Sequence, residues 1–399
     1  NTPFLSCVTQ AHRLHSISDR RMADTHIAPM AREEREARFL QARRDKKVAE
    51  DPFNVEGWYE DVKEITFPTE FVSLSPEEAQ AMLDYYQTRY NHKGTLNVDG
   101  SKILRALQAR LEPIIATTLP DGAFLRLSSR SPKDGNPADM EGFRASIQAA
   151  VRNLDEDPNA TMAAVGNCTA HQLRVTTAGE ALNLVLSSER VFVDLLLAFD
   201  SWEAGGRVPS DWNTAMAVRR WEPRVKDDSE FRMFVHNGVL TAASQYNHYC
   251  WYPHLQDKEA VERLSARLVG YWKEYIRHRL VRFGSYIVDV AVLAPTNTAV
   301  DAAGEAETSQ EPDICVVELN PFLPSTGPAL FDWKADELLL HNGPFTLRVR
   351  SSDNPYPGLA DLLRVAMLPE IFPEMSEFEV TRDHEPFYCL LDRVEAQAP

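Results

Sequence analysis

No stretch of this 399-residue chain approaches the roughly 20 consecutive apolar residues that a bilayer-spanning helix needs, so the expectation is a soluble, cytoplasmic protein without a membrane partner. Cysteine is scarce: the five thiols, at positions 7, 168, 250, 315 and 389, are odd in number and include no C-x-x-C pair. That usage argues against a disulfide framework or a zinc site and for a reducing compartment. Positive charge is in deficit as well. With 42 Lys and Arg against 59 Asp and Glu the formal net charge is −17, which speaks against a nucleic-acid partner held by clustered basic residues. A Gly-rich loop of the Walker type is missing, and Ser128-Ser-Arg-Ser131, which could touch phosphate, has no glycine. His248-Tyr-Cys-Trp-Tyr-Pro-His254 lacks a partner pair at zinc spacing and reads as an aromatic loop.

What is present is enough for a large core. At 44% hydrophobic residues the chain can bury one large core or two to three smaller ones. Residues 1–21 carry Arg13, Arg20, Arg21, His12 and His15 against one acid, Asp19. An organelle-targeting segment has that composition, as does an extension upstream of an alternative start at Met22, the preferred reading. Arg32–Ala49 is dense in charge and reads as an exposed helix or a disordered arm.

Folded structure is expected from Pro52. Glu64–Val72 reads as extended, Ser75-Pro-Glu-Glu78 as a capping box opening a helix to Tyr90, and Ser101–Thr117 as a second helix with Ile103, Leu104, Leu107, Leu111 and Ile115 on one face. Ala123–Leu127 is a strand, and residues 139–199 are mostly helical, with a strand alternative at Leu173–Thr176. Thr214–Trp221, Glu230–Val235 and Val239–Gln245 are strand candidates, the last two joined by the hairpin signal His236-Asn-Gly238. Lys258–Arg279 is a long amphipathic helix, and Ala302–Gln310 a mobile surface loop. Strands interspersed with helices, without an internal repeat, indicate an α+β fold.

Two later strands carry acids. Tyr286-Ile-Val-Asp289-Val-Ala-Val-Leu293 embeds one carboxylate, and Asp313-Ile-Cys-Val-Val-Glu-Leu-Asn-Pro321 delivers Glu318 and Asn320 to one face before a proline ends the ladder. If the strands are antiparallel neighbours, Asp289 stands opposite Glu318 and Asn320. Two carboxylates and an amide are hard oxygen ligands of the kind that hold magnesium beside nucleotide phosphates. The plainer alternative is an edge-strand carboxylate and a solvated one. Arg126, Arg219, Arg220 and Arg232 lie on or at the ends of apolar strands, where a guanidinium needs an internal ion pair, water or an anionic ligand. Together they could neutralise a triphosphate.

At this point the residues carry a resemblance. Phe124-Leu-Arg-Leu-Ser-Ser-Arg-Ser-Pro-Lys-Asp134, Val218-Arg-Arg-Trp221, Glu230-Phe-Arg-Met-Phe-Val235, Ser244-Gln-Tyr246, Ile287-Val-Asp-Val290, Glu318-Leu-Asn-Pro-Phe322 and Leu330-Phe-Asp-Trp333 resemble the ordered signatures of the cell division cycle protein 123 family. The resemblance implies an ATP-grasp type fold, two α+β lobes with nucleotide and magnesium between them. It implies metal ligation by Asp289, Glu318 and Asn320, a phosphate contact from Arg126, an adenine hinge at Val218–Trp221 and a second phosphate contact from Arg232. Ser128, Arg219, Arg220 and Trp221 complete the expected nucleotide site. The lobes implied are 51–213, with a helical insertion near 136–180, and 214–345, flanked by extensions 1–50 and 346–399, the latter packing on the core.

Departures accompany the match. Arg126 stands where the family usually has lysine, Glu318 where it has aspartate, and Ser128-Ser-Arg-Ser-Pro132 where it has Asn-Trp-Ser-Ala-Pro, which suggests a divergent paralogue. By resemblance the chain is a monomeric, ATP-dependent assembly chaperone whose partner is the gamma subunit of eukaryotic translation initiation factor 2. An ATP-grasp ligase or phosphotransferase that activates a carboxylate, and a nucleotide-binding regulatory protein without turnover, are the alternatives.

Overall fold

The computed structural model describes residues 49–154, 157–294, 314–363 and 385–397. The readings made for residues 1–48 and for the 302–310 loop lie outside them.

Capping chemistry sets the first helices. After α1 (Val55–Val62) and β1 (Thr69–Ser73), α2 (Pro76–Tyr90) opens on the expected capping box: Glu78 N donates to Ser75 Oγ at 3.2 Å and Ser75 N to Glu78 Oε2 at 2.8 Å. The next helix, α3 (Val98–Ala116), begins earlier than apolar periodicity indicated, because the Asn97 side chain caps it by accepting from Gly100 N at 2.9 Å. Its Leu104, Leu107, Leu111 and Ile115 are fully buried, at about 1.5–3 kcal/mol of transfer free energy each. Strand β2 (Ala123–Leu127) follows. Four helices come next: α4 (Met140–Val151), α5 (Pro158–His171), α6 (Ala178–Ser187) and α7 (Glu189–Ala204). The strand alternative at 173–176 reduces to a single bridge between Val175 and Ala123.

The first sheet is antiparallel, in the order β1-β3-β2, where β3 is Ala215–Arg220. β3, which follows residue 213, hydrogen-bonds both β1 and β2 and so belongs to the first sheet. The second sheet holds β4 (Glu230–His236), β5 (Val239–Gln245), β6 (Tyr286–Val292), β7 (Ile314–Pro321) and β8 (Thr346–Arg348), in the order β7-β6-β4-β5-β8. Its β4–β5 hairpin turns through Asn237 and Gly238 at φ of 49° and 71°, the left-handed pair that Asn-Gly supplies. Helix α8 (Lys258–Tyr271) widens into a π turn at Trp272–Ile276, so the helix read to Arg279 ends sooner.

Alternation along β4 divides the layers. Phe231, Met233 and Val235 face a core shared with Trp58 of α1, Ile147 of α4, and Met162 and Val165 of α5. Phe234 faces the other way, onto Ile287, Phe331 and Leu340, beside the short α9 (Glu337–Asn342). Thus α1 and the helices of the 136–180 segment pack on the second sheet, although they precede β3 in the chain. Of the C-terminal extension, β8 pairs parallel with β5, and α10 (Phe387–Ala396) buries Phe387 and Leu391 in the first core. Cys168, Cys250, Cys315 and Cys389 are free thiols, and no described helix is long and apolar enough to cross a membrane.

Candidate functional site

Directly opposite residues of adjacent strands share a face, and the registers Arg232↔Asp289 and Asp289↔Glu318 set one polar row across β4, β6 and β7. The antiparallel neighbour relation expected for the two acid-bearing strands is present. Asp289 is 1% exposed, and its carboxylate is already held: Arg232 donates through Nε to Oδ1 and through Nη2 to Oδ2, both at 2.8 Å, and Asn320 Nδ2 donates to Oδ2 at 3.1 Å. Arg232 also donates to the Gly327 carbonyl and lies over the Tyr246 ring, 4.9 Å from its centroid. Burial disfavours the Arg232 charge, yet Asp289 more than reverses this and holds the guanidinium above its ordinary pKa. Removing one partner from such a buried pair costs about 3–5 kcal/mol, because the other is left uncompensated. Replacing Asp289 therefore disturbs fold and site together, whereas Asn320 can be truncated without stranding a charge.

A bulge makes the next feature. Asp289 pairs with Glu318 but Val290 pairs with Val316, so Val317 is an extra residue in β7. Its carbonyl leaves the ladder and accepts from Arg219 Nη1 at 2.7 Å, while Arg219 Nη2 donates to Thr66 Oγ1 at 2.9 Å. The Arg219 guanidinium lies 4.9 Å from the Phe67 ring and 5.7 Å from the Trp58 ring. Burial, with Arg126 nearby, lowers its pKa to about 10. In this structure Arg219 is a strut between the sheets.

Arg126 makes a second strut. From β2 it crosses to β7, donating through Nη1 to Glu318 Oε1 at 2.5 Å. Burial would raise the Glu318 pKa, but Arg126, Lys133 and Arg232 outweigh it and pull the carboxyl down to about 2. The other expected site residues lie further out. Arg220 is exposed and paired with Asp121 at 2.9 Å. The Trp221 ring meets His171 edge-on at 5.9 Å, and Ser128 is buried with an unpartnered Oγ.

Arg126, Arg219, Arg220, Trp221, Arg232 and Glu318 line one cleft of about 1280 Å³, and Asp289, Asn320 and Ser128 are not among its lining residues. Among the further charged and polar lining residues that sequence reasoning missed are Lys133, Glu230 and Tyr246. Lys133 Nζ donates to Tyr246 Oη at 3.0 Å across the cleft. Its loop is pinned by Asp134, which accepts from Ser188 Oγ at 2.5 Å and Arg190 N at 3.1 Å. Adjacent Gly135 is needed there, since a Cβ would come within 2.2 Å of the Leu184 carbonyl oxygen. Glu230 precedes Arg232 by two residues, so the same alternation that selected Arg232 marks it.

Among the described residues no group of three or more His, Cys, Asp or Glu forms a metal cluster. The chemistry of Asp289, Glu318 and Asn320 still suits a hard cation, and the Asn320 amide oxygen makes none of the hydrogen bonds among the described residues.

Fold and site together define a two-sheet α+β protein with a charged cleft lined by both sheets. The profile of the D123 family matches residues 164–365, just over half of the chain, and the chain belongs to that family. The match begins inside the 136–180 stretch and includes Arg232, Asp289, Glu318 and Asn320. A curated relative, the translation initiation factor eIF2 assembly protein of Schizosaccharomyces pombe, is 27% identical over 171 residues, 41% of this chain and 46% of that protein. The chain thus aligns with about half the length of the curated relative it matches. Two solved structures of Cdc123 from the same yeast, one C-terminally truncated, are each 20% identical, with TM-scores of 0.48 and 0.46; each match covers 75% of this chain and 96% of the other.

The electrostatics of Glu230 give a pH dependence. Burial pushes its carboxyl from the ordinary 4.5 up to about 7, with Lys133 opposing and Asp289 and Asp227 adding. The folded protein therefore holds a proton that the unfolded chain has released. Its contribution is full below the unfolded value and is lost as pH rises through about 7. Glu318 shifts the opposite way and acts only in acid, as pH falls toward about 2. Glu230→Gln should flatten the decline in urea-unfolding stability between pH 5 and 8 and raise stability at pH 8 by on the order of 2–3 kcal/mol. Parallel pH profiles for the two proteins would contradict this assignment.

Proposed function

We propose that the chain binds ATP and magnesium in the cleft, in an ATP-grasp arrangement, and uses that binding in assembly of eIF2 through its gamma subunit. The observation carrying the nucleotide reading is the row Arg232–Asp289–Glu318–Arg126, in which two hard-ligand carboxylates are each occupied by a guanidinium. Asp289, Glu318 and Asn320 would hold a magnesium ion, which supplies charge neutralisation at the terminal phosphates. For that, Arg232 and Arg126 must leave their carboxylate oxygens, and each then needs another anion. Phosphate oxygens meet that need, so the residues favour joint loading of metal and triphosphate over either alone. Phe124, Trp221 and Val317 offer an apolar arm for the base.

The assembly reading is supported by membership of the D123 family and by the name of the yeast relative, which is an eIF2 assembly protein. A second reading draws on the cleft volume: at about 1280 Å³ it exceeds the roughly 300–1,000 Å³ of an ordinary small-molecule site, leaving room for a carboxylate substrate of a ligase or phosphotransferase.

Titration calorimetry tests the site. Magnesium alone should give no binding heat, ATP with magnesium should bind, and Asn320→Ala should weaken the magnesium-dependent part about tenfold or more while leaving the melting temperature near wild type. Equal ATP affinity with and without magnesium in both proteins would refute the metal assignment. The partner is tested by pull-down with purified eIF2 gamma subunit in the presence of ATP and magnesium. Capture is expected, and failure to retain the subunit would remove the assembly reading.

A further inference from the structure

His248, Tyr249 and Ala329 line the cleft and also a second groove of about 910 Å³, so the two adjoin. Leu347 and Arg348 of β8 line this groove, with Arg350 and Tyr356 beyond the strand and Leu330 and Phe331 from the loop before α9. In the sheet order β8 is the outermost strand after β5, so the groove lies at the edge of the second sheet. None of the residues assigned to nucleotide or metal lines it.

The acids and arginines of the groove are Asp332, Asp336, Arg348 and Arg350. Three of them are already satisfied. Arg348 and Asp336 form a two-point pair at 2.6 and 2.7 Å, and Asp332 Oδ1 accepts from Lys334 N at 2.8 Å and Ala335 N at 2.7 Å. Arg350 differs. Its guanidinium donates only to neutral backbone oxygens, through Nε to His248 at 2.9 Å and through Nη1 to Asn354 at 3.2 Å, and Nη2 has no partner among the described residues. Burial holds the guanidinium below its ordinary pKa, with no carboxylate opposing the shift. The main chain of Arg350 is pinned on both sides, its N donating to Gln245 Oε1 at 3.1 Å and its carbonyl accepting from Gln256 Nε2 at 3.0 Å. A partly buried cation held in place without an anion is prepared for a carboxylate.

The rest of the groove sets the size and character of that ligand. Tyr356 packs against Tyr249 with ring centroids 4.7 Å apart, and the Arg350 guanidinium lies 5.8 Å from the Tyr356 ring. A small carboxylate on Arg350 would leave the aromatic pair and most of the groove uncovered. An extended chain with mixed side chains covers both. We propose that the groove binds an extended segment of a partner polypeptide, holding an Asp or Glu side chain on Arg350 and an apolar side chain against Tyr249 and Tyr356. Nucleotide in the cleft is not required, so this site stands apart from the function proposed above.

Fluorescence anisotropy tests it with a fluorescein-labelled, amidated hexapeptide of alternating leucine and glutamate and with its glutamine counterpart. Wild-type protein should bind the glutamate peptide about tenfold more tightly than the glutamine one, in line with a charge-assisted hydrogen bond. Arg350→Gln should remove that preference. Arg350→Lys, which keeps the charge, should retain it to within about threefold, an outcome that loss of the two loop contacts alone does not produce. Amide hydrogen exchange of the wild-type protein supplies a readout that needs no variant, with slower exchange expected across residues 346–354 when the glutamate peptide is present.

Wild-type protein that binds neither peptide, or both equally, would overturn the proposal. A glutamate preference unchanged in Arg350→Gln, or protection confined to residues 126–133 of the cleft, would place the peptide elsewhere and overturn it as well.

Discussion

The bidentate pairing of Arg232 with Asp289 is the constraint on which the rest of the site depends. It is buried, spans two neighbouring strands, and uses both carboxylate oxygens at 2.8 Å. Its energetic weight lies less in the attraction than in the penalty for separating the partners, since either charge alone would be stranded. The pair fixes the guanidinium over Tyr246, and Tyr246 in turn receives Lys133 from the loop after β2. On its other side Asp289 sits opposite Glu318, which receives Arg126. One row of side chains thus organises the cleft floor and two of the polar bridges across it.

One of the links that join the sheets is made by groups proposed to hold a ligand. Arg126 to Glu318 and Lys133 to Tyr246 cross from the first sheet and its loop to the second, and Arg219 adds a third crossing to the Val317 carbonyl. Of these, the Arg126–Glu318 link consists of the charges that a metal-bound triphosphate would compete for. Arg219 differs. Enclosed by Phe67 and Trp58 and tied to neutral oxygens, it is placed to hold the sheets in register while the other contacts exchange.

Much of the fold was legible wherever a local rule decided it. The capping box at Ser75, the Asn-Gly hairpin, the apolar stripe of α3 and the termination of β7 at Pro321 follow from chemistry within a few residues. The pairing of Asp289 with Glu318 was foreseeable from side-chain alternation and one topological assumption. The bulge at Val317 was not, because an extra residue in a strand leaves no trace in an apolar run. Nor was the pairing of each carboxylate with an arginine, since their partners lie 57 and 192 residues away in sequence. For the same reason Arg219 read as a phosphate ligand, although its contacts are to Val317 and Thr66. That β3 pairs in the first sheet and α1 packs on the second was not legible, because the chain crosses between layers there and only long-range contacts reveal it.

The central claim is that the two guanidinium–carboxylate pairs hold the place of a metal-bound triphosphate. A crystal structure of the full chain with magnesium and a non-hydrolysable ATP analogue tests it most directly. The account predicts an ion coordinated by Asp289, Glu318 and Asn320, with Arg232 and Arg126 turned from those carboxylates onto phosphate oxygens. An analogue bound with both pairs intact and no ion at the three side chains would contradict it.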